Sequence, residues 1–172
     1  LGAYLGRRAA IGIDTSGINQ RLSGVDDLAH TLTIEDQENL VAEHVAPLAN
    51  EGPARVVDTP TCVADGNIEE SEMSFVFSRL VVDYITEIVH ESSVPFIGRL
   101  HTPSARNSLE DIIAQEMKGL LTQQAILGFT VIVDEVDSVT ASVDVGVDVT
   151  APLRNINATI TAGEINDEEA SA

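Results

Sequence analysis

Hydrophobic positions in the middle of the chain fall on two helical stripes. Between Glu69 and His90, the residues Met73, Val76, Phe77, Leu80, Val81, Tyr84, Ile85, Ile88 and Val89 recur at steps of three and four, which predicts a long amphipathic helix. Val94-Pro-Phe-Ile-Gly98 interrupts that period. Thr102-Pro103 then offers an N-cap followed by proline at the first helical position, where its missing N–H costs nothing. Leu109, Ile112, Ile113, Met117, Leu120, Leu121 and Ala125 form the stripe of the second helix, and Gly128 stands where a left-handed C-terminal residue is wanted.

Beyond Gly128 the period drops to two. Phe129, Val131 and Val133 alternate with other residues, Val143, Val145, Val147 and Val149 alternate with Asp144 and Asp148, and Ile156, Ala158 and Ile160 alternate with Asn155, Asn157 and Thr159. Three strands are expected. The first third of the chain is less periodic. Ala9-Ala-Ile-Gly-Ile-Asp14 reads as a strand running into a turn, followed by a loop to His30. Thr33 caps a helix with Glu35 and Asp36 in its first turn, and Leu40, Val41, Val45 and Leu48 supply its stripe until Asn50-Glu-Gly-Pro53 stops it. Ala54-Arg-Val-Val57 reads as another strand, with the loop Thr59-Pro-Thr-Cys-Val-Ala-Asp-Gly66 leaving it. The expected class is α+β: a mixed β-sheet with long amphipathic helices packed against it.

At 172 residues with 44% hydrophobic side chains, the chain has material for one core. The expected division is one domain over residues 1–162 and an acidic flexible tail over 163–172, whose Gly-Glu-Ile-Asn-Asp-Glu-Glu-Ala-Ser-Ala carries too little apolar surface to offset its ordering entropy. Charge changes the picture more. Nine Lys and Arg against 28 Asp and Glu leave a net charge of −19, which repels phosphate backbones and anionic lipid heads, so neither nucleic acid nor membrane is an expected partner. Eight of the nine cations are Arg and Lys118 is the single lysine. At molar salt the Debye length shrinks to about 3 Å, so such a surface loses most of its self-repulsion, and a halophilic source is expected.

Candidate chemistry is sparse. His30, His44, His90 and His101 lack the spacing of a metal or catalytic motif, and Cys62 has neither a disulfide partner nor the local signature of a thiol nucleophile. There is no G-x-S-x-G elbow, and Gly2 to Gly6 holds no phosphate-binding loop. Asp134, Glu135, Asp137, Asp144 and Asp148 could gather for a hard cation, although alternating Val and Asp is also what a half-exposed strand shows. Asn157-Ala-Thr159 matches a glycosylation sequon that arises often by chance. No catalytic residue, cofactor or metal ligand is assigned. No apolar run approaches a membrane span, Leu1-Gly-Ala-Tyr-Leu-Gly-Arg-Arg lacks signal-peptide order, and a start at Leu rather than Met leads us to expect further residues upstream.

Several phrases, taken in order, resemble the C-terminal part of contractile tail sheath proteins from tailed viruses and related injection machines. They are Leu22-Ser-Gly-Val25, Gln37-x-x-Leu40, Ala54-Arg-Val-Val-Asp-Thr59, Phe96-Ile-Gly-Arg99 and Leu120-Leu-x-Gln-x-Ala-Ile-Leu-Gly128, followed by the closing strands. The likeness runs from about Ala9 to about Thr161, and the Trp-Gly often found before the Thr-rich loop is missing. The resemblance implies a structural subunit rather than an enzyme. It would form helically stacked rings with neighbouring sheath subunits around a tail tube protein, within a virion tail assembled in host cytoplasm, and repack on contraction. Asn155, Ile156, Asn157, Ala158, Thr159, Ile160 and Thr161 are the candidate subunit-interface strand, since an added strand gains affinity from backbone hydrogen bonds and register from alternating side chains. A small carboxylate-metal enzyme and an unrelated interaction domain are the competing classes.

Overall fold

The computed structural model describes residues 2–50, 53–61 and 74–152. Its elements in chain order are α1 (Gly2–Ala10), α2 (Ile34–Ala42), β1 (Leu48–Asn50), β2 (Ala54–Val56), α3 (Val76–Ser93), α4 (Pro103–Thr122), β3 (Ile126–Glu135) and β4 (Ala141–Val149). The class is α+β, as the hydrophobic pattern implies. The described strands pair antiparallel in two separate hairpins, β1–β2 and β3–β4.

The main core lies where α3, α4 and one face of the β3–β4 hairpin meet. Phe77, Val81, Ile85 and Ile88 from α3 pack with Leu109, Ile113, Met117 and Leu120 from α4. Phe129, Val131 and Val133 of β3 and Val143, Val145, Val147 and Val149 of β4 close that core, while Thr130, Ile132, Asp134, Asp144 and Asp148 face outward. The period-two reading of both strands therefore holds. The helix stripes hold too, but with narrower buried faces than their sequence width: Tyr84, Ile112 and Leu121 are 40–43% exposed and Leu80 is half-buried.

The start of α4 is as expected. Thr102 is the N-cap, its hydroxyl accepts from the Ala105 N–H at 3.2 Å, and Pro103 follows. Its end differs. The helix stops at Thr122, Gln124 takes the left-handed conformation (φ 61°), and Ala125 N–H returns to Leu120 C=O at 3.1 Å, so Gly128 lies inside β3 instead. The paired bonds of Gln124 N–H to Leu121 C=O and Ala125 N–H to Leu120 C=O form a Schellman closure.

α2 ends in the same way, six residues before its expected last stripe residue. His44 is left-handed, Val45 N–H bonds Leu40 C=O at 2.8 Å, and Leu48 begins β1. Pro47 explains the early stop, because it disfavours a helical Ala46. The start of α2 is a full capping box between Thr33 and Asp36, whose hydrogen bonds from Thr33 hold the Asp36 carboxyl below its usual pKa.

The expected strand at Ala9–Asp14 is corrected. Gly2–Ala10 is a helix, free of β-branched residues and ending with Arg7 and Arg8 at its negative pole, where cations are favourable. Arg8 Nη1 donates to Thr15 C=O at 2.7 Å and turns the chain, so that Ile13 reaches the main core. β2 is flanked on one side by β1 and on the other by residues 19–25, through Asn19 N–H to Val56 C=O and Leu22 N–H to Ala54 C=O, both 2.8 Å. This smaller cluster joins the main body where Val76 N–H bonds Thr59 C=O at 3.0 Å, satisfying a donor at the first turn of α3 that has no side-chain cap.

Candidate assembly surface

Two features of the α3–α4–hairpin body face outward without a partner among the described residues. The first is the sheet itself. β3 and β4 pair in a ladder from Ile126↔Val149 to Glu135↔Ala141, with an irregularity near Gly128, and no other described strand pairs with either outer edge. Open edges of nine to ten residues present unpaired N–H and C=O groups, which template another strand. The end of β4 is fixed, since Thr150 donates from its hydroxyl to Gln124 C=O at 2.7 Å and from its N–H to Ala125 C=O at 3.2 Å. The interface candidates Asn155 to Thr161 follow directly in sequence but lie outside the described residues, as do Cys62 and Met73.

The second feature is a corner at the far end of the hairpin, where the α3–α4 turn meets the β3–β4 tip. Ser93 hydroxyl bonds Val89 C=O at 2.6 Å at the end of α3, a 3₁₀ turn covers Val94–Phe96, and Gly98 then adopts φ 85°. That reversal leaves Ile97 80% exposed and Leu100 85% exposed, beside Val139 of the hairpin tip at 85%. Between them lies a cleft of about 330 Å³ with Leu109, Val133 and Val143 among its walls.

Charge at this corner is mostly paired. Arg106 donates to Glu135 at 2.8 Å and to His101 Nε2 at 3.3 Å, tying α4 to the hairpin. The Asp137 carboxylate accepts from Val139 N–H at 2.8 Å and from the Thr140 hydroxyl, and these bonds hold its pKa below the usual range. Arg99 lies over the Phe96 ring, 4.8 Å from its centroid, and has no carboxylate partner among the described residues.

The candidate cation ligands do not converge. Asp134 sits opposite Ser142, Asp144 opposite Ile132 and Asp148 opposite Gly128, which spaces them along the outer face. Among the described residues no three His, Cys, Asp or Glu side chains could hold a metal together. His44 Nδ1 contacts Thr61 C=O at 2.8 Å, and His30 and His90 are exposed. The apolar corner escapes sequence reading because Val136, Val139, Ile97 and Leu100 carry no periodic signature; only their density beside turn-forming Gly98 and Asp137-Ser138 hints at it.

No protein-family profile and no curated protein matches the chain. Its fold is nevertheless shared with chains of two contractile injection assemblies. One similar structure is a chain of the anti-feeding prophage baseplate, at TM-score 0.78 and 17% identity over 95% of this chain and 49% of that one. Another is a chain of the PVC sheath complex, an extracellular contractile injection system in its contracted state, at TM-score 0.80 and 15% identity over 98% of this chain and 50% of that one. The chain thus spans about half the length of either. Among the described residues, no helix is long and apolar enough to cross a membrane.

Proposed function

We propose that this chain is part of a contractile sheath subunit, a structural element that joins copies of itself into helically stacked rings around a tail tube and repacks when the sheath contracts. The observation that carries this reading is the match of nearly the whole chain to a chain of a sheath complex, at TM-score 0.80. The unpaired edges of the β3–β4 hairpin supply a physical means, because a head-to-tail strand contact propagates into rings or filaments rather than closing as a dimer.

In this reading residues 1–162 are the folded unit and 163–172 an acidic extension of it. Asn155 to Thr161 is the strand that enters a neighbour's sheet. The partners are neighbouring sheath subunits and the tube protein, with no contact to nucleic acid or membrane, and the work is mechanical rather than catalytic. The assembly is a virus tail or a related injection machine put together in host cytoplasm, from a halophilic source in keeping with the charge of −19. Electron microscopy and sedimentation of the purified chain over rising concentration test the reading. Rings, arcs or tubes that grow with concentration are expected; particles that stay monomeric throughout overturn it.

A further inference from the structure

Among the described residues, the most exposed large apolar side chains are Ile97, Leu100 and Val139 at the corner, at 80–85%, and Ile34 at the first position of α2, at 76%. The corner group rims a cleft of about 330 Å³. That volume is near the lower end of the range of about 300–1,000 Å³ that bound ligands occupy, and it suits one aliphatic side chain with a few flanking atoms. Ile34 is such a side chain, carried on a helix that buries no residue. We propose that the two meet across a subunit boundary: α2 of one copy docks on the corner of a second copy, with Ile34 in the cleft and Glu38 facing Arg99.

Charge agrees with that pairing. Glu38 is exposed one turn beyond Ile34, at i and i+4, on the same face of α2. Residues 26–51 hold seven Asp and Glu and no Lys or Arg, so a guanidinium is the complementary group. Arg99 is exposed at the rim of the cleft and has no carboxylate partner among the described residues. The other charges on either side oppose this little. Arg106 neutralises Glu135, Asp137 accepts from Val139 N–H and the Thr140 hydroxyl, and Asp36 is engaged in the cap of α2.

Position agrees as well. The cluster that carries α2 meets the main body at the first turn of α3, where Val76 N–H bonds Thr59 C=O, and His44 just past α2 contacts Thr61 C=O at 2.8 Å. The corner lies at the other end of α3, whose 18 residues span about 27 Å. Two different patches set apart on one chain make a head-to-tail contact, which propagates rather than closing as a dimer. One apolar anchor and one charge pair are weak alone. Between copies already joined by an exchanged strand they act at an effective concentration in the millimolar range and reinforce the joint. The inference deepens the assembly reading and rests on it for that gain, while using a surface separate from the hairpin edges.

The test sediments the full chain beside Ile34→Asp, Leu100→Asp, Glu38→Arg, Arg99→Glu, and the last two changes combined. All four sites are exposed, so circular dichroism should not change. Each single change should raise the concentration needed for polymers about tenfold, and the combined charge swap should return it close to that of the parent. Single variants that polymerise like the parent overturn the contact and leave the sheath reading standing; a combined swap no better than its singles overturns the Glu38–Arg99 pairing. A parent that stays monomeric overturns the sheath reading instead, and amide NMR then decides the contact. Isotope-labelled Ile34→Asp chain, with its corner intact, is titrated to millimolar concentration with unlabelled Leu100→Asp chain, whose α2 is intact. Saturable shifts of the Leu100, Val139 and Ala141 amides are expected, and none when the unlabelled chain carries Ile34→Asp. Absence of shifts in the first titration, or equal shifts in both, overturns the contact.

Discussion

Gln124 and Gly98 show how single backbone positions set the shape of this molecule. Both are left-handed, at φ 61° and 85°, but only one is glycine. A side chain with a Cβ raises the energy of that conformation by about 1–2 kcal/mol, so Gln124→Gly should raise stability by about 1 kcal/mol. The bonds made by the residue-124 carbonyl and N–H use the backbone and survive the change. Gly98→Ala should cost about 1 kcal/mol through strain alone, because the space around its Cβ is open. Urea unfolding of both variants checks the pair: the midpoints should move in opposite directions with unchanged slopes.

The helices α3 and α4 are held by the faces they bury rather than by their full apolar stripes. Ile113 and Val81 are wholly enclosed, while Leu80 is half-buried. Ile113→Ala should therefore cost about 2–5 kcal/mol, Leu80→Ala distinctly less, and Glu87→Ala within about 0.5 kcal/mol of nothing. Urea denaturation ranks the three, and equal losses at Leu80 and Ile113 would mean that the buried face is misplaced. These two helices and the alternation of β3 and β4 were legible in sequence because period carries the signal over many residues. β1 was not, since Leu48-Ala-Asn50 is too short for any period to show. Gly128 misplaced the end of α4 because a left-handed Gln leaves no mark in sequence, and Ile11-Gly-Ile13 suggested a strand although the helix before it and Arg8 settle the turn. The apolar corner was illegible for a different reason: exposure of Ile97 and Leu100 follows from how the α3–α4 turn meets the hairpin, which is tertiary.

At the scale of the whole molecule, charge and assembly make separate predictions. Like-charge repulsion at −19 is screened by salt, so the thermal midpoint should rise from dilute buffer to molar KCl; a flat or falling series counts against a high-salt origin. In the sheath reading, Ala158→Pro removes a ladder donor from the candidate joining strand. Sedimentation should then show polymers lost while circular dichroism stays unchanged, and undiminished polymers would move the joint elsewhere. The order of elements adds a consequence in time. α3, α4, β3 and β4 follow one another in sequence and pack on their neighbours, so most closures in this body are short. Short closures of this kind speed folding, whereas meeting a second molecule waits on diffusion and concentration. In the sheath reading, a newly made subunit would then be a finished part before it encounters another, and its hairpin edge would stand as a template before any foreign strand arrives to use it.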